Sequence, residues 1–151
     1  MIPDKVRRVL EEHGLEAIEF QDGSTPTAAL AARELGVTVG RIAKSIVVCG
    51  KEQRLAMIVC AGDRRLSNAK VKALLGSKVS MASAEEIEAS TGFRPGGVCP
   101  FGVALPVFID QSLAQYETVY PAAGTDGSGV PVSFDKLVAI TSGRVCDVTT
   151  D

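Results

Sequence analysis

The 151-residue sequence lacks the residues that several common kinds of site require. It has one histidine, His13, and its four cysteines (Cys49, Cys60, Cys99 and Cys146) lie far apart, with no CxxC pair. Because structural zinc sites draw on closely spaced Cys and His ligands, we expect no metal site, and no cofactor. A Ser-His-Asp set would have to use His13, which ends the first predicted helix and faces either its carbonyl end or the core.

Long apolar runs and a strong net charge are also missing. No run approaches the roughly 20 apolar residues of a membrane span. The N-terminal segment is a polar amphipathic helix without the apolar core of a signal peptide, so we expect a cytoplasmic chain without membrane contact. A net charge of −2 means that a polyanionic partner would have to bind a local basic patch. The length predicts a single domain, residues 1–151.

Local signals predict interspersed helices and strands. The first helix covers residues 4–13, and further helices follow the capping residues Thr27, Ser67, Ser83 and Ser133. Strands are predicted at 17–20, 42–49, 54–60, 78–81, 104–110, 117–121, 130–134 and 144–148. Several short connections favour antiparallel pairing, which indicates an α/β domain with a mixed, partly curled sheet. A hairpin of 42–49 with 54–60 would put Cys49 near Arg54 or Leu55, so we expect no disulfide to Cys60.

One lysine and one loop are candidates for binding. Lys44 opens the apolar run SIVVC, where a lysine is either a solvated strand end or a fixed cation beside a pocket. Residues 91–102, TGFRPGGVCPFG, hold four glycines and two prolines. Gly96 and Gly97 allow a ligand to approach the backbone and expose N–H groups, which suits an oxyanion or carboxylate cradle. The alternative is a tight structural turn anchored by Phe93 and Phe101.

Two further features have an ordinary and a functional interpretation. Cys99 lies in the loop, but a nucleophilic cysteine needs a depressed pKa or an adjacent base, and no base is evident. The densest basic stretch contains the cations Arg64, Arg65, Lys70 and Lys72. Such a stretch is either a solvated face or a track for a phosphate backbone, and it lacks the interleaved aromatics that stack on bases.

Four segments in this order resemble the YbaK/prolyl-tRNA synthetase-associated editing domain family. They are AKSIVV, TGFRPGGVCPFG, LPVFID and TVYPAAG, and the resemblance extends over nearly the whole chain. It implies a single α/β domain with a mixed, partly barrel-like sheet flanked by helices. It also implies hydrolysis of the ester that joins a wrong amino acid to the 3′-terminal adenosine of a tRNA.

The resemblance also implies roles for individual residues. Lys44 would hold the terminal nucleotide or its phosphate, and Gly96 and Gly97 would surround the ester carbonyl. The remaining pocket residues would be Pro100 in the same loop, Asp110 and Gly124 on the floor, Thr25 and Thr27 at the rim, and Cys99, whose side chain would narrow the pocket. Substrate groups such as the ribose hydroxyl would replace a protein base.

We therefore expect a free-standing deacylase that removes cysteine, alanine, serine or threonine from a tRNA such as tRNA-Pro. A prolyl-tRNA synthetase is a candidate partner, and the sequence leaves monomer and homodimer open. One alternative is a non-catalytic module that binds tRNA or nucleotides beside a synthetase. Another is a thiol-dependent hydrolase that uses Cys99.

Overall fold

The computed structural model describes residues 1–150, in which helices and strands are interspersed. The helices are α1 (Asp4–Glu12), α2 (Ala28–Leu35), α3 (Asn68–Leu75), α4 (Ala84–Thr91) and α5 (Phe134–Thr141). The strands are β1 (Ile18–Glu19), β2 (Ala43–Cys49), β3 (Leu55–Ala61), β4 (Ser80–Met81), β5 (Val107–Asp110), β6 (Ser128–Gly129) and β7 (Arg144–Cys146). Short 3-10 helices span Val39–Arg41, Lys51–Gln53 and Gln111–Gln115. Within residues 1–150 no helix is both long and apolar enough to cross a membrane.

Side-chain caps fix the helix starts where the sequence predicts them. The hydroxyls that accept a backbone N–H from the first turn belong to Thr27, Ser67, Ser83 and Ser133. Ser83 and Glu86 form a reciprocal capping box, which confirms that prediction. Left-handed glycines end α2, α3 and α4, because only glycine takes this conformation without a steric cost.

The central sheet has five strands in the order β4-β2-β3-β5-β7. β2 pairs antiparallel with β3 and β4, whereas β3, β5 and β7 run parallel. The predicted mixed α/β sheet is therefore confirmed, although it is open and not a closed barrel. The hairpin register places Cys49 opposite Leu55, as predicted, and all four cysteines are free.

The strands predicted at 117–121 and 130–134 form only isolated bridges, one between Val119 and Val132 and one between Tyr120 and Ile42. The pairing continues as far as a bond from the Val130 N–H to the Pro121 carbonyl, at 2.8 Å. Proline has no N–H for the return bond, so the ladder stops there. The chain before Val130 instead pairs as β6 with β1 in a separate two-stranded sheet.

β2 separates two hydrophobic cores. Ala43 and Val47 belong to the larger core, which also holds buried side chains of α1 and of loop 92–102. Val48 is buried on the opposite face with Val71 of α3, and Ile46 packs against that second core. Because both faces of β2 are covered, its position relative to the neighbouring elements is fixed by packing.

One edge of β2 is covered only at its two ends. At the start of the strand, the Ala43 N–H donates to the Tyr120 carbonyl at 3.1 Å, and near its end the Val47 carbonyl accepts from the Ala82 N–H at 3.0 Å. Backbone groups alternate in direction along a strand, so the N–H and C=O of Ser45 point toward this same side. In residues 1–150 no strand pairs with Ser45 there, and the cavity described next occupies that position.

Candidate functional site

A cavity of about 250 Å³ lies against this edge of β2. The start of α2, loop 95–98 and residues of α4 and the 120–122 segment form its other walls. The structure brings together four residues that the sequence analysis selected, namely Thr25, Thr27, Lys44 and Gly96. The apolar walls include Ala31, Leu35, Ile42, Ile87, Val98 and Ala122. The cavity thus combines a mainly apolar wall with one cation, several hydroxyls and exposed backbone.

Lys44 is held by two backbone carbonyls. Its ammonium donates to the Arg64 carbonyl at 2.5 Å and lies 3.4 Å from the Gly62 carbonyl. A side chain at Gly62 would place Cβ 2.4 Å from the Val39 carbonyl oxygen, so glycine is required for the turn to pass this close. An ammonium has three donors, and two of them are directed at these carbonyls. Lys44 is therefore a positioned, half-buried cation with one donor left for a ligand.

The segment RPGG is a tight turn at the mouth of the cavity. The Gly97 N–H donates to the Arg94 carbonyl at 3.0 Å, and Gly96 has φ 92. Pro95 followed by a positive-φ glycine is the sequence that a type II turn requires. The Gly97 N–H is thus committed to the turn, while Gly96 faces the cavity.

Gly97 has a packing role that the sequence did not indicate. A Cβ at this position would lie 2.9 Å from the Cα and the carbonyl carbon of Thr125. Only glycine lets the two loops approach this closely. Gly97 therefore positions Gly96 by fixing the turn against loop 124–126, and it does not itself line the cavity.

Thr25 and Thr27 line the cavity through ordered hydroxyls. The Thr27 hydroxyl caps α2 by accepting from the Leu30 N–H at 3.2 Å. Thr25 is buried, and its hydroxyl accepts from the Ser128 N–H at 3.1 Å. The Thr25 N–H donates to the Asp126 carbonyl at 2.6 Å. The segment before α2 is thereby fastened to the segment that contains β6.

Two serines of the cavity were missed by the sequence analysis. The hydrogen-bonding capacity of the Ser128 hydroxyl is used within the protein. It accepts from the Ala123 N–H at 3.0 Å and also forms a hydrogen bond with the Thr125 hydroxyl at 2.9 Å. The Ser45 hydroxyl is buried and has no hydrogen-bond partner among residues 1–150. Ser45 sits in the otherwise apolar run AKSIVV, and that isolated hydroxyl is the signal that could have revealed it.

Cys99 does not reach the cavity. Its side chain is fully buried in the larger core, and its thiol lies 3.9 Å from the Phe101 carbonyl. Burial raises the pKa of the Cys99 thiol to about 12, so almost none of it is thiolate near neutral pH. The Cys99 side chain therefore does not narrow this cavity, and its burial and raised pKa count against the hypothesis that it is a nucleophile.

Asp110 is also absent from the cavity, contrary to its predicted place on the floor. It is fully buried at the end of β5, where it accepts from the Val148 N–H at 2.7 Å, the Thr149 hydroxyl at 2.9 Å and the Ser112 N–H at 3.1 Å. Desolvation opposes ionisation, but these bonds outweigh it and lower the pKa of the Asp110 carboxyl. Asp110 ties the C-terminal segment to the sheet.

Two other predicted pocket residues lie behind or beside the cavity. Gly124 shares a separate cavity of about 300 Å³ with Gly97. Pro100 is buried and lines neither cavity. Both residues follow segments that do line the candidate site. The sequence therefore pointed to the correct segments of the chain but not to the residues that line the cavity.

The basic stretch divides into two groups. Arg64 and Arg65 line a second cavity that also contains Lys44. Lys70 instead forms a salt bridge with Asp147 at 3.0 Å and donates to the Thr149 carbonyl at 2.9 Å. Lys72 is exposed but lines neither of these cavities. The structure thus brings two of the four predicted tRNA-binding cations to Lys44.

The cavity offers little acid–base chemistry. Of its lining residues, only Lys44 and Tyr120 carry a titratable side chain. His13 is the exposed C-terminal cap of α1, so the alternative that it packs in the core is wrong. Within residues 1–150 no three His, Cys, Asp or Glu side chains form a group that could hold a metal ion. The polar groups that the cavity offers to a ligand are one ammonium, one phenol, several aliphatic hydroxyls and backbone dipoles.

Comparison with known proteins connects this cavity to a family. A family model for the aminoacyl-tRNA editing domain matches residues 22–140. EbsC of Enterococcus faecalis, described as a candidate Cys-tRNA(Pro)/Cys-tRNA(Cys) deacylase, is 28% identical over 149 residues, 95% of this chain and 91% of EbsC. A crystal structure described as a candidate trans-editing enzyme for prolyl tRNA synthetase has a TM-score of 0.88 and 33% identity, with 100% of both chains covered.

YwhH of Bacillus subtilis, an uncharacterized protein, is 37% identical over 132 residues, which cover 86% of this chain and 83% of YwhH. The family match includes every element that builds the cavity, from the segment before α2 to β6. The chain belongs to the aminoacyl-tRNA editing domain family.

Proposed function

We propose that this chain is an aminoacyl-tRNA deacylase that acts in trans on tRNA-Pro carrying a wrong, small amino acid. The observation that carries the proposal is a cavity with one fixed cation and no carboxylate, imidazole or thiol among its lining residues. An aminoacyl ester is already activated, so its hydrolysis needs an oriented water and charge stabilisation more than a strong base. EbsC, described as a candidate deacylase of Cys-tRNA(Pro) and Cys-tRNA(Cys), supports this choice of substrate.

Two polar groups of the cavity have a role in this proposal. Lys44 binds the phosphate of the terminal nucleotide through the donor that its two carbonyl contacts leave over. The Gly96 N–H, which is not the donor that closes the turn, stabilises the oxyanion that develops at the ester carbonyl. The ribose hydroxyl beside the ester orients the attacking water, because no side chain of the cavity can act as a carboxylate or imidazole base.

The apolar wall sets the size of the amino acid. Cysteine, alanine, serine and threonine have small side chains. Larger amino acids could enter only if the wall residues Ile87, Val98 and Leu35 moved. Affinity alone discriminates one methylene by only ~10- to 200-fold, so exclusion by a rigid wall is the more effective device. The packing of Gly97 against Thr125 supplies that rigidity at the mouth.

The test is a deacylation panel. tRNA-Pro is charged separately with cysteine, alanine, serine, threonine and proline, and the loss of each amino acid is followed with wild-type protein, Lys44→Met and Lys136→Met. Lys136 is an exposed lysine of α5 outside the cavity, so its variant controls for the loss of one positive charge. We expect rapid loss of one or two small amino acids, roughly a 100-fold decrease in Lys44→Met and no decrease in the control.

The panel also separates the alternatives. Retention of every amino acid by the wild-type protein, also with prolyl-tRNA synthetase and further tRNAs added, would contradict the proposal and favour a non-catalytic binding module. Equal activity of wild-type protein and correctly folded Lys44→Met would contradict the role proposed for Lys44 but not the deacylase activity. An increase in rate on adding the synthetase would identify that enzyme as a partner.

A further inference from the structure

The candidate site continues around the edge of β2 into a second cavity of about 340 Å³. Three residues line both cavities, namely Lys44, Ile46 and Met81. The second cavity lies on the face of β2 that carries the even-numbered residues, between that strand, β4 and the start of α3. The two cavities therefore form one groove that bends at Lys44.

The second cavity pairs an apolar floor with a cationic rim. Ile46, Val48 and Val71 supply the floor, and Arg64 and Arg65 lie at one side. Arg65 is exposed, whereas Lys70, the third residue of α3, forms a salt bridge with Asp147. At the bend, the Met81 side chain is 66% exposed and adds its thioether to the apolar surface that a ligand can cover.

This combination matches a nucleotide better than a peptide or a small apolar ligand. No aromatic side chain lines the cavity, so a base would bind by covering the apolar floor while its phosphate meets guanidinium groups. A polypeptide segment would need hydrogen-bond partners along an open strand, but the edge of β2 offers only the backbone groups of Ser45 between two covered ends. The cations and the apolar floor therefore indicate the kind of ligand better than the strand edge does.

We propose that this second cavity is the subsite for the nucleotide that precedes the terminal adenosine of the aminoacyl-tRNA. The inference rests on the proposed function, in which the first cavity receives the aminoacylated adenosine. The phosphate that links the last two nucleotides lies between their bases, and Lys44 lies between the two cavities. Lys44 would then bind the linking phosphate, with Arg65 near the next phosphate along the strand.

The subsite makes a prediction about binding that does not depend on hydrolysis. The trinucleotide CCA without an esterified amino acid should bind at least about tenfold more tightly than 5′-AMP, since it fills both cavities and adds phosphate contacts. For CCA, the plot of log affinity against log salt concentration should be less steep in Arg65→Ala than in wild type. The slopes should differ by about 0.7, the value for one phosphate contact on a single strand. Equal affinities for CCA and 5′-AMP would overturn the inference whether or not the protein is a deacylase.

Two variants that introduce a negative charge test the same point in hydrolysis. Arg65→Glu and Asn68→Glu place a carboxylate in the second cavity, and both residues are exposed and absent from the lining of the first cavity. Asn68 is the first residue of α3, where an acidic side chain favours the helix, so that variant should fold normally. Arg8→Glu, on an exposed position of α1, is the matched control.

Each protein is assayed on three substrates: an aminoacylated CCA trinucleotide, the same amino acid esterified to adenosine alone, and full-length aminoacyl-tRNA. We expect the two variants to lower kcat/KM for the trinucleotide by about tenfold relative to aminoacyl-adenosine, and the control to leave the ratio unchanged. A decrease that is equal for the trinucleotide and for aminoacyl-adenosine would overturn the subsite. A decrease seen only with full-length tRNA would also overturn it and would assign these cations to another part of the tRNA. Absence of hydrolysis by the wild-type protein would refute the proposed function and leave the binding result to decide the subsite.

Discussion

Two serines that line the same cavity should respond in opposite ways to truncation. The Ser45 hydroxyl is buried without a hydrogen-bond partner among residues 1–150, whereas the Ser128 hydroxyl pairs with the Ala123 N–H and with Thr125. Leaving a buried polar group unsatisfied costs about 1–3 kcal/mol, and removing such a group together with its cost can be neutral or stabilising. The matched substitutions Ser45→Ala and Ser128→Ala therefore separate a group held for a ligand from one that supports the fold.

The expected magnitudes follow from these contacts. Ser128→Ala strands the Ala123 N–H in the core, so we expect the free energy of unfolding to decrease by about 1–3 kcal/mol. For Ser45→Ala we expect it to stay the same or to increase by up to about 1 kcal/mol. If the substrate bonds to the Ser45 hydroxyl, losing one uncharged hydrogen bond should lower kcat/KM by about 3- to 10-fold.

Chemical denaturation gives the free energies of unfolding, and the deacylation assay gives kcat/KM for the same preparations. The reasoning would be refuted if Ser45→Ala were destabilised by more than about 1 kcal/mol, because the hydroxyl would then have a partner in the folded protein. An unchanged kcat/KM would show that the substrate does not use Ser45. Ser45→Thr provides a further check, because it retains the hydroxyl while adding a methyl group.

Three further predictions concern residues outside the cavity lining. Gly97→Ala should decrease both the free energy of unfolding, by about 1–3 kcal/mol, and kcat/KM, since its Cβ would meet the Thr125 backbone at 2.9 Å; unchanged values in both assays would refute the packing role. Asp110→Asn should lose stability at neutral pH. Because the pKa of Asp110 is lowered by folding, its stabilisation is complete above about pH 4 and disappears as the pH falls through the folded pKa, so denaturation curves of the two proteins should converge in acid. Cys99→Ala should still deacylate, and complete loss of hydrolysis by the folded variant would support a thiol nucleophile after all.

Local features of the structure could be predicted from the sequence because the signals are themselves local. The cap of α2 needs only Thr27 and a bond three residues away, and the capping box of α4 needs only Ser83 and Glu86. The proline interruption of the 117–121 pairing was also visible in the sequence, but its consequence depends on which strand faces Pro121. Pairing partners are set by tertiary packing, which a single sequence specifies only indirectly.

The site was predictable only in part, for a similar reason. Lys44 and Gly96 stand out by type and position, and both reach the cavity. The difference between Gly96 and Gly97 was hidden, because it depends on which N–H closes the turn and on a contact with Thr125. Asp110 looked like a floor residue, but two of its three partners, Val148 and Thr149, come from a segment almost 40 residues further along the chain, and no local pattern reports such bonds.

The position of the cavity at a strand edge has a physical logic of its own. A long open edge invites pairing with another chain, and proteins usually cover or shorten such edges. Here the contacts of Tyr120 and Ala82 cover both ends of the gap and leave the backbone of Ser45 between them. That gap is too short to hold a strand but long enough to present one N–H, one C=O and a hydroxyl to a small polar ligand. Because side chains alternate along a strand, Lys44 points to the opposite face of the sheet from Ser45, and it lines both cavities at this gap.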